Sequence, residues 1–135
     1  MAFKLTKRPR LHKRDYFDEI GALILSLTFR ELTPEELDAY DLALAKIRNN
    51  PVLSEDEKIK ARKEEQRKIA DLAIVDWGAV EDDDEKPIAL TPESVQEFTM
   101  DPATEKFWQP YIANYLNPWI RQGKVEGEKR LDPHA

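Results

Sequence analysis

The sequence predicts a mainly α (α+β) fold: a single helical domain with a small N-terminal β-hairpin or strand. Three observations lead there. Of 135 residues, 36% are charged and only 4 are glycine, which favours long solvated helices over a turn-rich β protein, while 41% apolar residues supply a modest core. Helix-start patterns recur at Thr33, Ser54 and Thr91. One stretch, residues 22–29, alternates instead with the period of a strand.

Residues 1–21 read as a basic arm or hairpin strand. Phe3, Leu5 and Leu11 alternate loosely with cations, and Pro9 points to an edge or irregular segment. Lys4, Lys7, Arg8, Arg10, Lys13 and Arg14 give residues 1–14 a charge of +6 with no acid, so the whole-chain charge of −6 leaves −12 on the remainder. Residues 18–21 form a turn. In residues 22–29, Leu23, Leu25, Leu27 and Phe29 share one face and Ile24, Ser26 and Thr28 the other, as in a half-buried strand paired with residues near 8–16. A helix over residues 20–29 stays open, because short apolar runs do not separate the two periods.

Residues 22–122 form the helical domain. Thr33-Pro34-Glu35-Glu36 is a capping box with proline at the first helical position, and the helix runs to about Ile47, burying Leu37, Tyr40, Leu44 and Ile47. Ser54-Glu55-Asp56-Glu57 repeats the box, and its helix extends to about Ile74 with a highly polar middle over residues 58–68, read as a solvated arm held by charge pairs. Residues 69–80 are where this helix enters the core and stops. Trp77 is read there as a structural hub whose replacement by alanine costs roughly 3–5 kcal/mol. A short helix over residues 92–100 buries Val95 and Phe98. Asp101-Pro102 starts another, carrying Trp108, Tyr111, Ile112, Tyr115, Leu116 and Trp119 at helical spacing, kinked near Pro110 and ended or bent at Pro118. Residues 123–135 read as a polar flexible tail.

Catalytic chemistry finds little support in these residues. There is no cysteine, and the two histidines, His12 and His134, have no metal or triad spacing. The run Glu81-Asp-Asp-Asp-Glu85 lacks the ligand alternation, central glycine and distant glutamate of a calcium loop, so it reads as an exposed acidic loop. The expectation is therefore a non-enzymatic protein with no metal or cofactor. No apolar run approaches the ~20 residues of a membrane span, and no signal-peptide pattern opens the chain, which leads to a cytoplasmic expectation. The arm Lys4, Lys7, Arg8, Arg10, Lys13 and Arg14 supports an alternative, a nucleic-acid-binding or virion structural protein, but it lacks interleaved aromatic platforms.

Several segments in order carry a resemblance. Leu27-Thr-Phe-Arg-Glu-Leu-Thr-Pro-Glu-Glu-Leu37, a charged helical middle, Ile74-Val75-Asp76-Trp77 with Gly78 and Val80, an acidic loop reaching Lys86-Pro87-Ile88, and Leu90-Thr-Pro-Glu-Ser-Val95 together resemble tail assembly chaperones of long-tailed bacteriophages. The similarity spans roughly residues 22–122 and rests on capping and core residues. It implies a protein of the host bacterial cytoplasm that binds the helical tape measure protein and keeps it soluble until the tail tube polymerises. Contact with the tail tube protein and self-association are further expectations. The family's contact residues do not map onto this chain one by one; the candidates for the partner are taken from its own aromatic face and the end of the strand: Phe29, Leu32, Phe107, Trp108, Tyr111, Tyr115 and Trp119.

Overall fold

A computed structural model describes residues 10–117. Two strands, β1 (Leu11–Phe17) and β2 (Leu23–Arg30), are followed by helices α1 (Pro34–Arg48) and α2 (Glu55–Ala73). A third strand, β3 (Ile74–Gly78), leads to α3 (Pro92–Met100), a single 3₁₀ turn (Pro102–Thr104) and α4 (Glu105–Leu116). The strands form one antiparallel sheet in the order β1-β2-β3, with β2 central. This corrects the mainly helical class with a small N-terminal hairpin: the fold is α+β, with four α-helices and one three-stranded sheet among the described residues, the sheet completed from the middle of the chain. The physical reason lies at Ala73-Ile74, where α2 ends and β3 begins without a connecting loop. Five residues are too few to display a period, and the pairing partner that makes them a strand lies far away in sequence.

The hairpin forms because its turn is chemically complete. The Asp18 carboxylate accepts from the backbone N–H groups of Ile20 (3.0 Å) and Ala22 (2.9 Å), and Gly21 takes φ = 86°, where a Cβ would be strained. Between Tyr16↔Leu25 and Phe17↔Leu23 the register shifts, so β2 contributes one extra residue, Ile24. The same happens in β3, where Val75 is extra between the Thr28↔Asp76 and Phe29↔Ile74 pairs. Such bulges re-aim side chains, and beyond the extra residue Ile24 the alternation read from residues 22–29 fails: Leu23, expected on the buried face with Leu25, Leu27 and Phe29, is exposed.

The helices obey their caps. Thr33 and Ser54 each accept from the third helical N–H while Glu36 and Glu57 return the bond to the cap N–H, and Thr91 and Ser94 make the equivalent exchange. Each arrangement satisfies two otherwise orphaned donors. Arg30 reaches from the end of β2 to Glu36 in a bidentate pair, both contacts 2.7 Å, tying sheet to helix. α4 continues through Pro110. The helix expected from Asp101-Pro102 instead begins at Glu105, after the 3₁₀ turn capped by Asp101.

The polar helix α2 packs against α1, α3 and α4. Arg67 shows why so charged a helix can do so: its guanidinium meets Glu64 (2.5 Å) and Asp71 (2.7 Å), and Asp71 in turn accepts from the buried Thr99 hydroxyl of α3. The charge pairs at helical spacing thus anchor a neighbouring helix as well as stabilise α2. The core gathers Leu27, Phe29 and Ile112, all fully buried, with Tyr40, Ala70, Ile74, Val95 and Leu116 around them.

Candidate functional site: an apolar cleft beside the third strand

The aromatic face of α4 is turned onto the sheet. Tyr111 stacks on Phe29 with ring centroids 4.1 Å apart, Tyr16 meets Phe107 edge-on at 5.1 Å, and the Leu32 N–H donates to the Tyr115 hydroxyl at 3.0 Å. Strand β1 supplies the cover. The Arg14 guanidinium lies over the Tyr111 ring, 5.3 Å from its centre, and the Tyr16 hydroxyl donates to the Phe107 carbonyl at 2.5 Å. Burial pushes both tyrosine hydroxyls above their ordinary pKa, with Arg14 pulling the other way.

These contacts locate the residues nominated from the sequence. Phe29, Leu32 and Trp108 are buried in the domain interior and offer little side-chain surface to a partner in this conformation. Phe107, Tyr111 and Tyr115 are half-buried, packed between α4 and the sheet. Trp119, Lys4, Lys7 and Arg8 lie outside the described residues. Of the basic stretch, Arg14 is engaged with Tyr111, Lys13 lies 3.9 Å from Asp15, and the Arg10 carbonyl accepts from the Glu31 N–H.

An open apolar surface adjoins this face, between the start of β2, the segment after β3, α3 and the start of α4, and of the residues nominated from the sequence Phe107 lines it. A cleft of about 400 Å³ is floored by Leu25, Trp77, Val80, Phe98 and Phe107, with Ile24 and Ile88 at its mouth. Three acids, Glu81, Glu97 and Asp101, also line it. Its walls are held by specific bonds. The Trp77 indole donates from Nε1 to the Ile88 carbonyl (2.9 Å) and its ring lies 5.5 Å from that of Phe98, while the Ile88 N–H donates to the Val80 carbonyl (2.8 Å). Ala79, at φ = 62°, turns the chain out of β3 in a left-handed conformation that costs a non-glycine residue about 1 kcal/mol.

The acidic segment beyond is ordered by its own backbone. The Asp82 carboxylate accepts from the N–H groups of Asp84 (2.8 Å) and Lys86 (3.0 Å), and Glu81 bridges to Pro87. Among the described residues no group of three or more His, Asp or Glu is placed to hold a metal ion, and no helix is long and apolar enough to cross a membrane.

The hairpin that contributes Ile24 carries further exposed apolar side chains. Phe17, Ile20 and Leu23 are exposed to 58%, 89% and 49%, and Ile24 joins them to the cleft mouth. Four large apolar side chains on one turn and its flanks form a patch of the kind that marks an interaction surface. Trp77, Phe98, Val80, Ile24 and Ile88 were not nominated from the sequence. Exposed apolar residues flanking a complete turn, Phe17 and Ile20 around Asp18–Gly21, were the one available signal.

A second hollow of about 300 Å³ lies over α2 and α4, lined by Lys60, Lys63, Arg67, Glu64 and Glu105, whose charges largely offset one another. Trp108 borders it, with an indole N–H that is buried and has no acceptor among the described residues. Comparison with known proteins returned no match: none to a protein-family model, none to a curated protein and none to a solved structure.

Proposed function

We propose that this chain is a tail assembly chaperone of a long-tailed bacteriophage, acting in the host cytoplasm. It binds the tape measure protein through the apolar cleft and hairpin tip, holds it soluble, and is displaced as tail tube subunits polymerise. The observation that supports this reading best is the apolar cleft lined by Ile24, Trp77 and Phe98, with exposed Phe17, Ile20 and Leu23 on the same hairpin as Ile24, which offers an unfolded-prone apolar helix a place to bury its stripe. The order of capping and core segments over residues 22–95 supports it from the sequence side. Nothing in the cleft pairs a nucleophile with a base, so a binding role fits its chemistry. The nucleic-acid alternative draws less support, since Arg14 is committed to Tyr111.

Co-expression tests the reading. A tape measure fragment produced alone is expected in the insoluble fraction and, with this protein, in the soluble one as a co-purifying complex. A fragment equally insoluble in both cases rejects the proposal.

A further inference from the structure

The cleft has a charge pattern as well as an apolar floor. Glu81 stands at the mouth beside Val80, Glu97 lies one residue from Phe98, and Asp101 closes the end of α3. Among the described residues neither Glu81 nor Glu97 has an ion-pair partner. Asp101 spends one oxygen on the Ala103 N–H. The nearby Lys106 places its ammonium over the Phe107 ring, 5.1 Å from the centre, and does not line the cleft. On the hairpin, Glu19 precedes the exposed Ile20. An apolar strip bordered by uncompensated acids selects an apolar ligand bordered by cations, because like charges at a rim repel and opposite ones steer.

The size and edges of the site bear on the ligand's form. A cavity of ~150 Å³ takes a benzene ring, so about 400 Å³ holds about two to three side chains of leucine or phenylalanine size, the number a helix presents along one face in two turns. Strand addition along β3 is disfavoured, because the Trp77 N–H is already taken by the Asp76 carboxylate at 2.9 Å.

We propose that this cleft is a docking groove for an amphipathic helix whose apolar stripe is flanked by Lys or Arg, met by Glu81, Glu97 and Asp101. The proposal rests on the binding role above and specifies which part of a client is held: a basic-flanked helical segment, not any apolar one. Ile24, the extra residue of the β2 bulge, lines the groove on its hairpin side.

Two labelled synthetic helices of about 18 residues, long enough to fold on contact, test it against the full chain by fluorescence anisotropy. Both carry the same leucine stripe; one has lysines beside it, the other glutamates. The lysine helix is expected to bind about tenfold tighter at low salt, with the gap closing as salt screens the rim. The double variant E81Q/E97Q is expected to lower lysine-helix affinity several-fold with an unchanged melting temperature, and I24K to abolish it. Equal affinity for the two helices, or indifference to E81Q/E97Q, overturns the proposal. If neither helix binds while the tape measure fragment is still solubilised, the groove assignment fails and the chaperone reading survives. Lysine-helix binding lost in I24K, with no solubilisation of the fragment, upholds the groove and removes the chaperone reading.

Discussion

Two aromatic regions of this molecule start from similar residues and end differently. On α4, Phe107, Tyr111 and Tyr115 lie at helical spacing; Phe29 and Arg14 pack on the Tyr111 ring, Tyr115 stacks against Tyr111, and Tyr16 meets Phe107, whose other side lines the cleft. Beside β3, Trp77 and Phe98 also pair, and the segment that follows is tied back by bonds such as Trp77–Ile88 and Val80–Ile88 while a cleft remains beside them. Aromatic content therefore does not mark the open surface. What distinguishes the regions is whether a strand crosses above the rings.

Phe29→Ala is the largest break on the closed side. It removes a fully buried ring stacked on Tyr111, and a loss of about 3–5 kcal/mol is expected from urea denaturation, enough to unfold a marginal domain. A loss under about 1 kcal/mol would mean that the α4 face is not the structural one.

Glu36 gives the next effect, through pH. Its carboxyl is held down to about 2 from 4.5, first by the Arg30 hydrogen bond and further by the Thr33 N–H, against some burial. A depressed folded-state pKa stabilises above the unfolded value and loses that contribution as pH falls from about 5 through 2. Allowing for partial exposure, the contribution at neutral pH is on the order of 2 kcal/mol. Glu36→Gln should lower the melting temperature at pH 7 and flatten the acid limb of the stability curve. An acid limb as steep as the parent's would assign that dependence to other carboxylates.

Trp77→Phe sharpens the contrast from the cleft side. It keeps an aromatic ring near Phe98 and deletes the indole N–H, so a cost of about 1 kcal/mol is expected, with faster amide exchange at Ile88. The sequence reading made Trp77 a purely structural hub, whereas the structure places it half-buried in the cleft wall. Ile88→Ser sits at the small end for stability, about 1 kcal/mol by thermal melting, since the residue is 36% exposed and loses only part of an isoleucine's burial. Its expected effect is on client binding. A stability loss as large as that of Phe29→Ala would make the cleft a part of the core.

Much of the architecture was legible along the chain. Helix starts at Thr33, Ser54 and Thr91 were readable because a capping box is a local bond pattern within four residues. The end of α2 near Ile74 and the β1–β2 hairpin followed from a change of period and a turn. Strand β3 was not readable, since Ile74-Val75-Asp76-Trp77-Gly78 becomes a strand only by pairing with β2, almost fifty residues earlier. The partner residues nominated on α4 rested on their amphipathic face, and that pattern does not say what covers it.

The sequence by itself determined the local elements: where each helix begins, which face is apolar, and that acids outweigh cations beyond residue 14. These depend on bonds and periods spanning a few residues. Tertiary structure alone decided that β3 completes the sheet, that Ile24 bulges out of alternation, and that Arg14 closes over Tyr111 while the surface between Trp77 and Phe98 stays open. The reason is that covering a side chain requires another segment to arrive there, and arrival is a property of the whole packing.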